Sequence, residues 1–290
     1  MVKKSVIHII SLSWLLLGLS MLLSAMWSIY YSENDLYPIL YSSFITIFFG
    51  LIVSVFTKSN KIDDLSARDG FAIVTFGWLT MASFSALPLY LSEFNVSYTD
   101  AFFESMSGLT TTGASILGSA TLPIESLTHG LLFWRSFTHF IGGMGIIVFS
   151  IAILPMLGIG GVQLFRAEVA GPDTDKLKPR VKQTAKLLWM IYIGFILLLT
   201  FILLLTGEMN LFESLCHSFG TIATAGFSTR SGSIGEFSAL VQWIIILFMF
   251  IASTSFTLHY LSLSKKKFEY FRDTEFKIYC SVIILLTIIF

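Results

Sequence analysis

Charge is what this 290-residue sequence most lacks, since only 12% of its residues are charged and 55% are hydrophobic. Soluble globular domains carry about 25% charged residues, so the composition excludes that class. The mean hydropathy is +0.80, and several apolar runs reach the roughly 20 residues that cross a bilayer. The sequence therefore indicates a membrane protein. Its formal net charge is zero, but in such a protein the placement of charge matters more than the sum.

Cysteine is equally scarce. Cys216 and Cys280 are the only two, and neither has a partner at the spacing of a metal site or a thiol–disulfide motif. We expect both to be small apolar fillers. His139, His217 and His259 fall on separate segments, and we expect hydrogen-bonded buried histidines rather than metal ligands. With no nucleophile–base pair and no metal cluster in the pattern, the sequence predicts a protein that is not an enzyme.

The apolar runs predict six membrane helices and the start of a seventh. The six runs are 5–30, 38–57, 71–91, 129–157, 184–206 and 240–262. The first is too long for the apolar region of a signal peptide, and no small-residue cleavage site follows it. The seventh run, 276–290, is too short to cross a bilayer comfortably. We therefore expect the chain to be a fragment of a longer protein.

Lysine and arginine concentrate on one side of the six predicted helices. The basic segments are 3–4, 58–68, 166–186 and 265–277. The positive-inside rule makes this side, including the N-terminus, cytoplasmic. The outer side carries the acids Glu33, Asp35, Glu93, Asp100, Glu104, Glu125, Glu208, Glu213 and Glu236. Two interpretations of these acids stay open: they raise the local cation concentration, or they simply occupy outer loops.

One motif occurs twice. Residues 102–115 read FFESMSGLTTTGAS, and residues 211–228 read LFESLCHSFGTIATAGFS. Each is an amphipathic segment that ends in a small, polar, glycine-containing stretch between two apolar runs. The residues at 97–100 and 210–213 resemble capping boxes, which open short helices. Non-helical backbone at membrane depth is tolerated only against protein or a water-filled cavity, so the pattern predicts a pair of re-entrant pore loops.

The composition of the two loops suits a monovalent cation. Gly113 and Gly226 permit backbone turns that other residues resist, so the loop carbonyls can turn toward a common axis. Such carbonyls can replace the water shell of the ion. The C-terminal end of each short helix adds partial negative charge to the cavity. The loops lack the Lys-Ser/Thr of a phosphate-binding loop, and the glycines at 142–145 lie inside a membrane helix, where small residues serve close packing. We therefore expect no binding of nucleotide or nucleic acid by these segments.

Three charged residues accompany the loops. Matching Glu104 with Glu213 makes the second loop four residues longer than the first, as a longer helix or a bend would. We expect both carboxylates to hold the loops by hydrogen bonds rather than to attract cations. Arg135 lies near the outer end of its helix, and we expect it to pair with a carboxylate such as Glu104.

The repeat extends into the following helices, where FIGGMG at 140–145 lines up with FIASTS at 250–255. We expect the change from Gly142-Gly143 to Ala252-Ser253 to alter local helix contact. Both units cross the membrane in the same sense, so the repeats are parallel. The fold class is an all-α membrane protein with two parallel helix–pore loop–helix repeats after a two-helix N-terminal unit. The expected boundaries are 1–70, 71–183, 184–275 and 276–290.

The loop sequences TTTGAS at 110–115 and TAGFST at 224–229 resemble the selectivity filters of the TrkH/Ktr/HKT superfamily of potassium transporters. The segments WRSFTHFIGGMG at 134–145 and LFRAE at 164–168 are similar to the same superfamily. The resemblance covers nearly the whole chain. The two helices that precede the first repeat are similar to the additional N-terminal pair of the TrkH branch.

The resemblance implies a pore encircled by four helix–pore loop–helix units of one polypeptide, of which this chain contains two. It implies that K⁺ contacts the carbonyls of Thr111, Thr112, Thr224 and Ala225, that Gly113 and Gly226 are the filter glycines, and that Ala114 and Phe227 follow them. It implies potassium uptake across the bacterial inner membrane, with this chain as the N-terminal half of the pore subunit. No cofactor is implied beyond the transported ion.

The resemblance also implies partners. Family members form homodimers and bind a cytoplasmic nucleotide-binding regulator of the TrkA type, and the basic cytoplasmic loops are candidate parts of that docking surface. Half a ring of filter carbonyls should not conduct ions alone. The alternative function is therefore a non-conducting membrane scaffold that binds a partner subunit or a cytoplasmic regulator. Rescue of a potassium uptake-deficient strain by this chain would separate the two.

Overall fold

The computed structural model describes residues 3–58, 66–118, 122–152, 177–265 and 270–289. The helices are α1 (Lys4–Tyr31), α2 (Leu36–Thr57), α3 (Ala67–Ser85), α4 (Leu87–Tyr90), α5 (Tyr98–Leu109), α6 (His129–Ala152), α7 (Leu177–Leu205), α8 (Leu211–Ile222), α9 (Ala239–Ala252), α10 (Phe256–Lys265) and α11 (Thr274–Ile289). The motif at 164–168 and most of the basic segment 166–186 lie outside the described residues.

Helices α1 and α2 form a tight hairpin. Ser43 Oγ donates a hydrogen bond of 2.7 Å to the carbonyl of Gly18 across the interface. A side chain at Gly18 would collide with Ile47, and one at Gly50 would collide with Leu15. Small residues let two membrane helices approach closely where apolar burial alone gives little driving force. The hairpin confirms the first two predicted helices.

Within the described residues, four helical stretches are long and apolar enough to cross a membrane: α1, α2, Arg68–Tyr90 (α3 with α4) and Ala185–Leu205 of α7. Helix α3 begins at a capping box, in which the Ser66 side chain accepts from the Asp69 backbone and the Asp69 carboxylate accepts from the Ser66 backbone. The break between α3 and α4 falls two residues before Pro88, as expected for a residue that disfavours helix before it. Helix α6 is 24 residues long and begins at the same residue as the fourth predicted run.

The single helix predicted over 240–262 is wrong. Helices α9 and α10 replace it, bent by 87° at a short break, and together they make a possible fifth span. The break contains Ser253, Thr254 and Ser255, whose hydroxyls compete with the backbone for hydrogen bonds. A ring nitrogen of His259 on α10 lies 3.0 Å from the carbonyl oxygen of Ile251, near the end of α9. The Ile251 carbonyl also accepts from the Thr254 N–H at 3.1 Å, so His259 adds a second contact to it at the bend.

Helix α6 contacts both short helices, α5 and α8. It also packs against α7. The seam is aromatic: the rings of Phe133, Phe137 and Phe140 on α6 lie 5.4–5.9 Å from the ring of Phe219 on α8. Aromatic pairs at this separation contribute about 0.5–1.5 kcal/mol each beyond their buried area. This seam packs α8 against the same helix that contacts α5.

Candidate functional site

The two short helices begin alike. Ser97 Oγ accepts a hydrogen bond of 3.1 Å from the Asp100 N–H at the start of α5. Asn210 Oδ1 accepts one of 2.9 Å from the Glu213 N–H at the start of α8. Each cap satisfies a backbone donor that has no partner within the helix. The predicted helix starts are confirmed, and both helices are 12 residues long.

The end of α5 is a Schellman motif. The Thr111 N–H donates to the carbonyl of Gly108 at 3.1 Å, and the Thr112 N–H donates to the carbonyl of Ser107 at 2.9 Å. This pair of bonds satisfies carbonyls that the last turn leaves open, and it needs a left-handed residue just past the helix. Glycine usually occupies that position, but here it is Thr111, with φ of 55°.

The end of α8 repeats the motif. The Thr224 N–H donates to the carbonyl of Thr221 at 3.1 Å, and the Ala225 N–H donates to the carbonyl of Gly220 at 2.9 Å. Thr224 has the same φ of 55° as the corresponding threonine of the first loop. The left-handed region disfavours a non-glycine residue by about 1–2 kcal/mol. Both loops therefore retain the same unfavourable backbone at the same place, a pattern that clusters at functional sites.

The filter-glycine candidates lie two residues further along each loop. Gly113 has φ of 74° and Gly226 has φ of 107°. Both follow their helix by the same number of residues, so the two helix–loop segments align without a gap. The predicted four-residue difference in loop length is wrong. It came from matching identical letters, whereas the helix register aligns Glu104 with His217 and Asp100 with Glu213.

The structure brings the two loops into contact. A side chain at Gly113 would overlap the carbonyl oxygen of Ala225 in the other loop, so only glycine fits there. The backbone at Gly226 has open space around it. Thr112, Ala114, Thr224 and Gly226 are exposed, and Thr111, Gly113 and Ala225 are partly exposed, whereas the Phe227 side chain is buried. Seven of the eight predicted site residues are thus at least partly accessible, whereas the buried side chain of Phe227 anchors its loop.

Close packing supports the first loop from behind. A side chain at Gly142 on α6 would overlap the carbonyl oxygen of Leu109, the last residue of α5. A side chain at Gly108 would overlap Thr138 of α6, and one at Gly143 would lie 2.6 Å from the Tyr192 hydroxyl. The glycines of α6 therefore serve close packing, as predicted.

A buried ion pair lies beside the first loop. Arg135 Nε donates to Glu104 Oε1 at 2.5 Å, which confirms the predicted pairing. The two residues are 7% and 3% exposed. Glu104 also accepts from Ser115 Oγ at 2.8 Å and from the Ile116 N–H at 3.2 Å, directly after the loop. Glu104 therefore holds the first loop by hydrogen bonds.

The same arginine reaches the second loop. Arg135 Nη1 donates to the carbonyl of Ser228 at 2.8 Å, and its guanidinium carbon lies 3.7 Å above the Phe227 ring. On α8, a ring nitrogen of His217 lies 2.9 Å from Ser228 Oγ, as predicted for a hydrogen-bonded histidine. The sequence did not reveal the role of Phe227 as an anchor. A large aromatic residue directly follows the glycine of the second loop, whereas the small Ala114 takes this place in the first loop. This difference was the available signal.

His139 differs from the prediction of a hydrogen-bonded histidine. Both of its ring nitrogens lack a hydrogen-bond partner in the part of the chain that the structure describes. Its ring instead stacks on Phe227, with centroids 4.2 Å apart. Among the described residues, no group of three His, Cys, Asp or Glu residues is placed to hold a metal ion.

The outer carboxylates bind loop donors. Glu125 accepts from the Ser231 N–H at 2.5 Å and from Ser231 Oγ at 2.7 Å, and these bonds lower the pKa of Glu125 below its usual value. Glu208 accepts from the Ser238 N–H at 3.0 Å, and its pKa is lowered by the Ser238 hydroxyl and backbone. Glu125 and Glu208 thus bind donors of neighbouring outer loops, a role that neither of the two interpretations of these acids named.

Comparisons with known proteins agree with this geometry. Residues 38–286 match the family model of TrkH, described as a cation transport protein. The chain is 38% identical, over 99% of its length, to the Trk system potassium uptake protein TrkH of Vibrio parahaemolyticus, of which it covers 59%. It is 45% identical, over 78% of its length, to the protein of the same name from Escherichia coli K12, of which it covers 47%.

The crystal structure of the potassium transporter TrkH from Vibrio parahaemolyticus superposes with a TM-score of 0.85. The two are 35% identical, over 99% of this chain and 58% of the other. The predicted all-α membrane class is confirmed. The chain spans about half the length of these relatives, between 47% and 59%.

Proposed function

Since the chain belongs to the TrkH family of cation transport proteins, we propose that it contributes two units of a potassium-selective pathway for uptake across the bacterial inner membrane. The relatives named potassium uptake proteins support potassium as the ion. The chain covers 59% of the first of these relatives, so the transport activity proposed is that of the natural full-length protein.

One observation carries the proposal: two short helices of the same length, each with a side-chain cap at its start, end in loops of the same strained backbone, and the loops meet at Gly113 and Ala225. Their C-terminal ends bear partial negative charge, which favours a cation nearby. Loop carbonyls can replace the hydration shell of K⁺ without any charged side chain. In the proposed filter the carbonyls of Thr111, Thr112, Thr224 and Ala225 bind the ion, and Gly113, Gly226, Ala114 and Phe227 shape the loop.

The proposal assigns the chain to units. Residues 71–183 form the first helix–pore loop–helix unit, 184–275 the second, 1–70 the N-terminal pair and 276–290 the start of a third. The basic segments support an N-terminus on the cytoplasmic side, because lysine and arginine favour that face. Homodimer formation and docking of a TrkA-type regulator on the basic face complete the proposal.

Potassium-limited growth of an uptake-deficient bacterium tests the function. The natural full-length protein should restore growth at low K⁺, and Gly113→Ala should abolish the restoration because the new methyl group displaces the Ala225 carbonyl. Gly77→Ala is the matched control, since Gly77 lies in α3 with open space around it.

Selectivity for K⁺ over Na⁺ that stays intact in Gly113→Ala would refute the filter assignment. The same strain separates the proposal from a non-conducting scaffold. Restoration of growth by residues 1–290 alone would exclude the scaffold and the expectation that half a ring cannot conduct.

A further inference from the structure

Two side chains of α6 lie against the ring of Phe227. The Arg135 guanidinium carbon lies 3.7 Å from the ring centroid, and the His139 ring stacks on it at 4.2 Å. Phe227 directly follows Gly226, yet its side chain is only 3% exposed. The loop of the second unit is therefore anchored in α6 of the first unit.

We propose that Arg135 is a positioning residue for ion selection, which fixes the second filter segment against the first and so sets the preference for K⁺ over Na⁺. This inference rests on the proposed potassium pathway. It adds that selectivity depends on a side chain that does not itself contact the ion.

The guanidinium of Arg135 connects, by hydrogen bonds, the residues that directly follow the two loops. On one side Arg135 binds Glu104, whose carboxylate holds Ser115 and the Ile116 N–H. On the other side it donates to the carbonyl of Ser228 at 2.8 Å. Filter selectivity depends on the number, field and spacing of the carbonyls around the ion. A rigid link between the two segments keeps that spacing constant.

Arginine is suited to this link in a way that lysine is not. Its planar guanidinium donates in several fixed directions and also lies flat on an aromatic ring, whereas an ammonium group is a compact point charge. Replacing a buried ion pair by apolar residues is often neutral for stability, so burial of Glu104 and Arg135 is weak evidence of a stabilising role. The contacts to both loops give the pair another role.

The second unit contains a matched control. Arg230 pairs with Glu213 at 2.9 Å, and its guanidinium carbon lies 4.2 Å from the Phe237 ring centroid. The three residue types are the same as in the first cluster, but Arg230 is 33% exposed. Its guanidinium contacts Glu213, Glu236 and Phe237, which all belong to the second unit.

The test measures uptake of K⁺ and Na⁺ by the natural full-length protein in membrane vesicles. Arg135→Lys should raise the KM for K⁺ and lower the K⁺/Na⁺ uptake ratio by about tenfold, the effect of losing roughly one hydrogen bond to a charged group. Phe227→Leu, which removes the ring but keeps an apolar side chain, should act in the same direction. Arg230→Lys and Phe237→Leu should leave the ratio unchanged.

Two results in Arg135→Lys would overturn the proposal: an unchanged K⁺/Na⁺ uptake ratio, or an equal loss of uptake for both ions. Either result is what the loss of a purely structural residue would produce. If Arg135→Lys does not reach the membrane, Phe227→Leu decides by the same two criteria. Absence of K⁺ preference in the unaltered protein is a distinct result, which would overturn the potassium pathway itself.

Discussion

The two helix–loop segments have the same backbone and different surroundings. Helices α5 and α8 share their length, their N-terminal caps and their Schellman ends, and both loops hold a left-handed threonine followed by a left-handed glycine. The first is surrounded by α3, α4 and α6, and its ion pair is buried. In the second, the ion pair of Glu213 with Arg230 is partly exposed. The local sequence therefore gives both segments the same backbone conformation, whereas tertiary packing gives them different surroundings.

Removing one carboxylate from each ion pair should show the largest difference. Glu104→Gln leaves the charge of Arg135 buried and uncompensated, so we expect a loss of about 3–5 kcal/mol in the free energy of unfolding. Glu213→Gln affects a partly exposed pair and should cost about 0–1 kcal/mol. Thermal unfolding of the two purified variants in detergent checks this, and equal shifts in Tm would contradict the comparison.

Substituting the two loop glycines should show a smaller difference. Both residues have positive φ, so alanine at either adds about 1–2 kcal/mol of backbone strain. Gly113→Ala also forces the methyl group against the Ala225 carbonyl, with a further loss of about 1–3 kcal/mol from overpacking. Gly226→Ala meets open space. Denaturation of both variants measures the difference, and a Gly226→Ala protein as unstable as Gly113→Ala would show that strain alone decides.

The smallest expected effect is at the hydrogen bonds that Glu125 accepts from Ser231. Because Ser231 lowers the pKa of Glu125 from its usual 4.5, the folded state favours the carboxylate. These hydrogen bonds therefore stabilise the folded state above about pH 4.5, and this stabilisation is lost as the pH falls through the lowered pKa of Glu125. Glu125→Gln should remove this pH dependence, at most about 0.5 kcal/mol for so exposed a group. Unfolding followed between pH 3 and 7 (roughly the range over which carboxylates titrate) checks it, with Glu93→Gln as control.

Prediction from the sequence succeeded where the signal was local and periodic. The apolar runs located α1, α2, α7 and the α3–α4 span, because crossing a bilayer demands length and apolarity whatever the neighbours are. The side-chain caps at Ser97 and Asn210 could also be predicted, because a cap involves only about four consecutive residues. The pairing of Arg135 with Glu104 was also foreseen, since a buried charge requires a partner.

Prediction failed where two distant segments decide the outcome. The bend between α9 and α10 brings His259 to the carbonyl of Ile251, a contact that no pattern in the apolar run reveals. The matching of Glu104 with Glu213 followed repeated letters, although only the helix ends define the register. The unpartnered, stacked state of His139 likewise depends on a ring from another unit.

The sequence by itself determined the membrane class, the repeated helix–loop segments and the glycines that permit their turns, because these depend on composition and on interactions within a few residues. Only the tertiary structure decided that Gly113 faces the carbonyl of Ala225, and that Arg135 links the first loop to Phe227 and Ser228 of the second. Such contacts join residues about ninety or more positions apart, and their geometry is set by the packing of α6 between the units rather than by either segment alone.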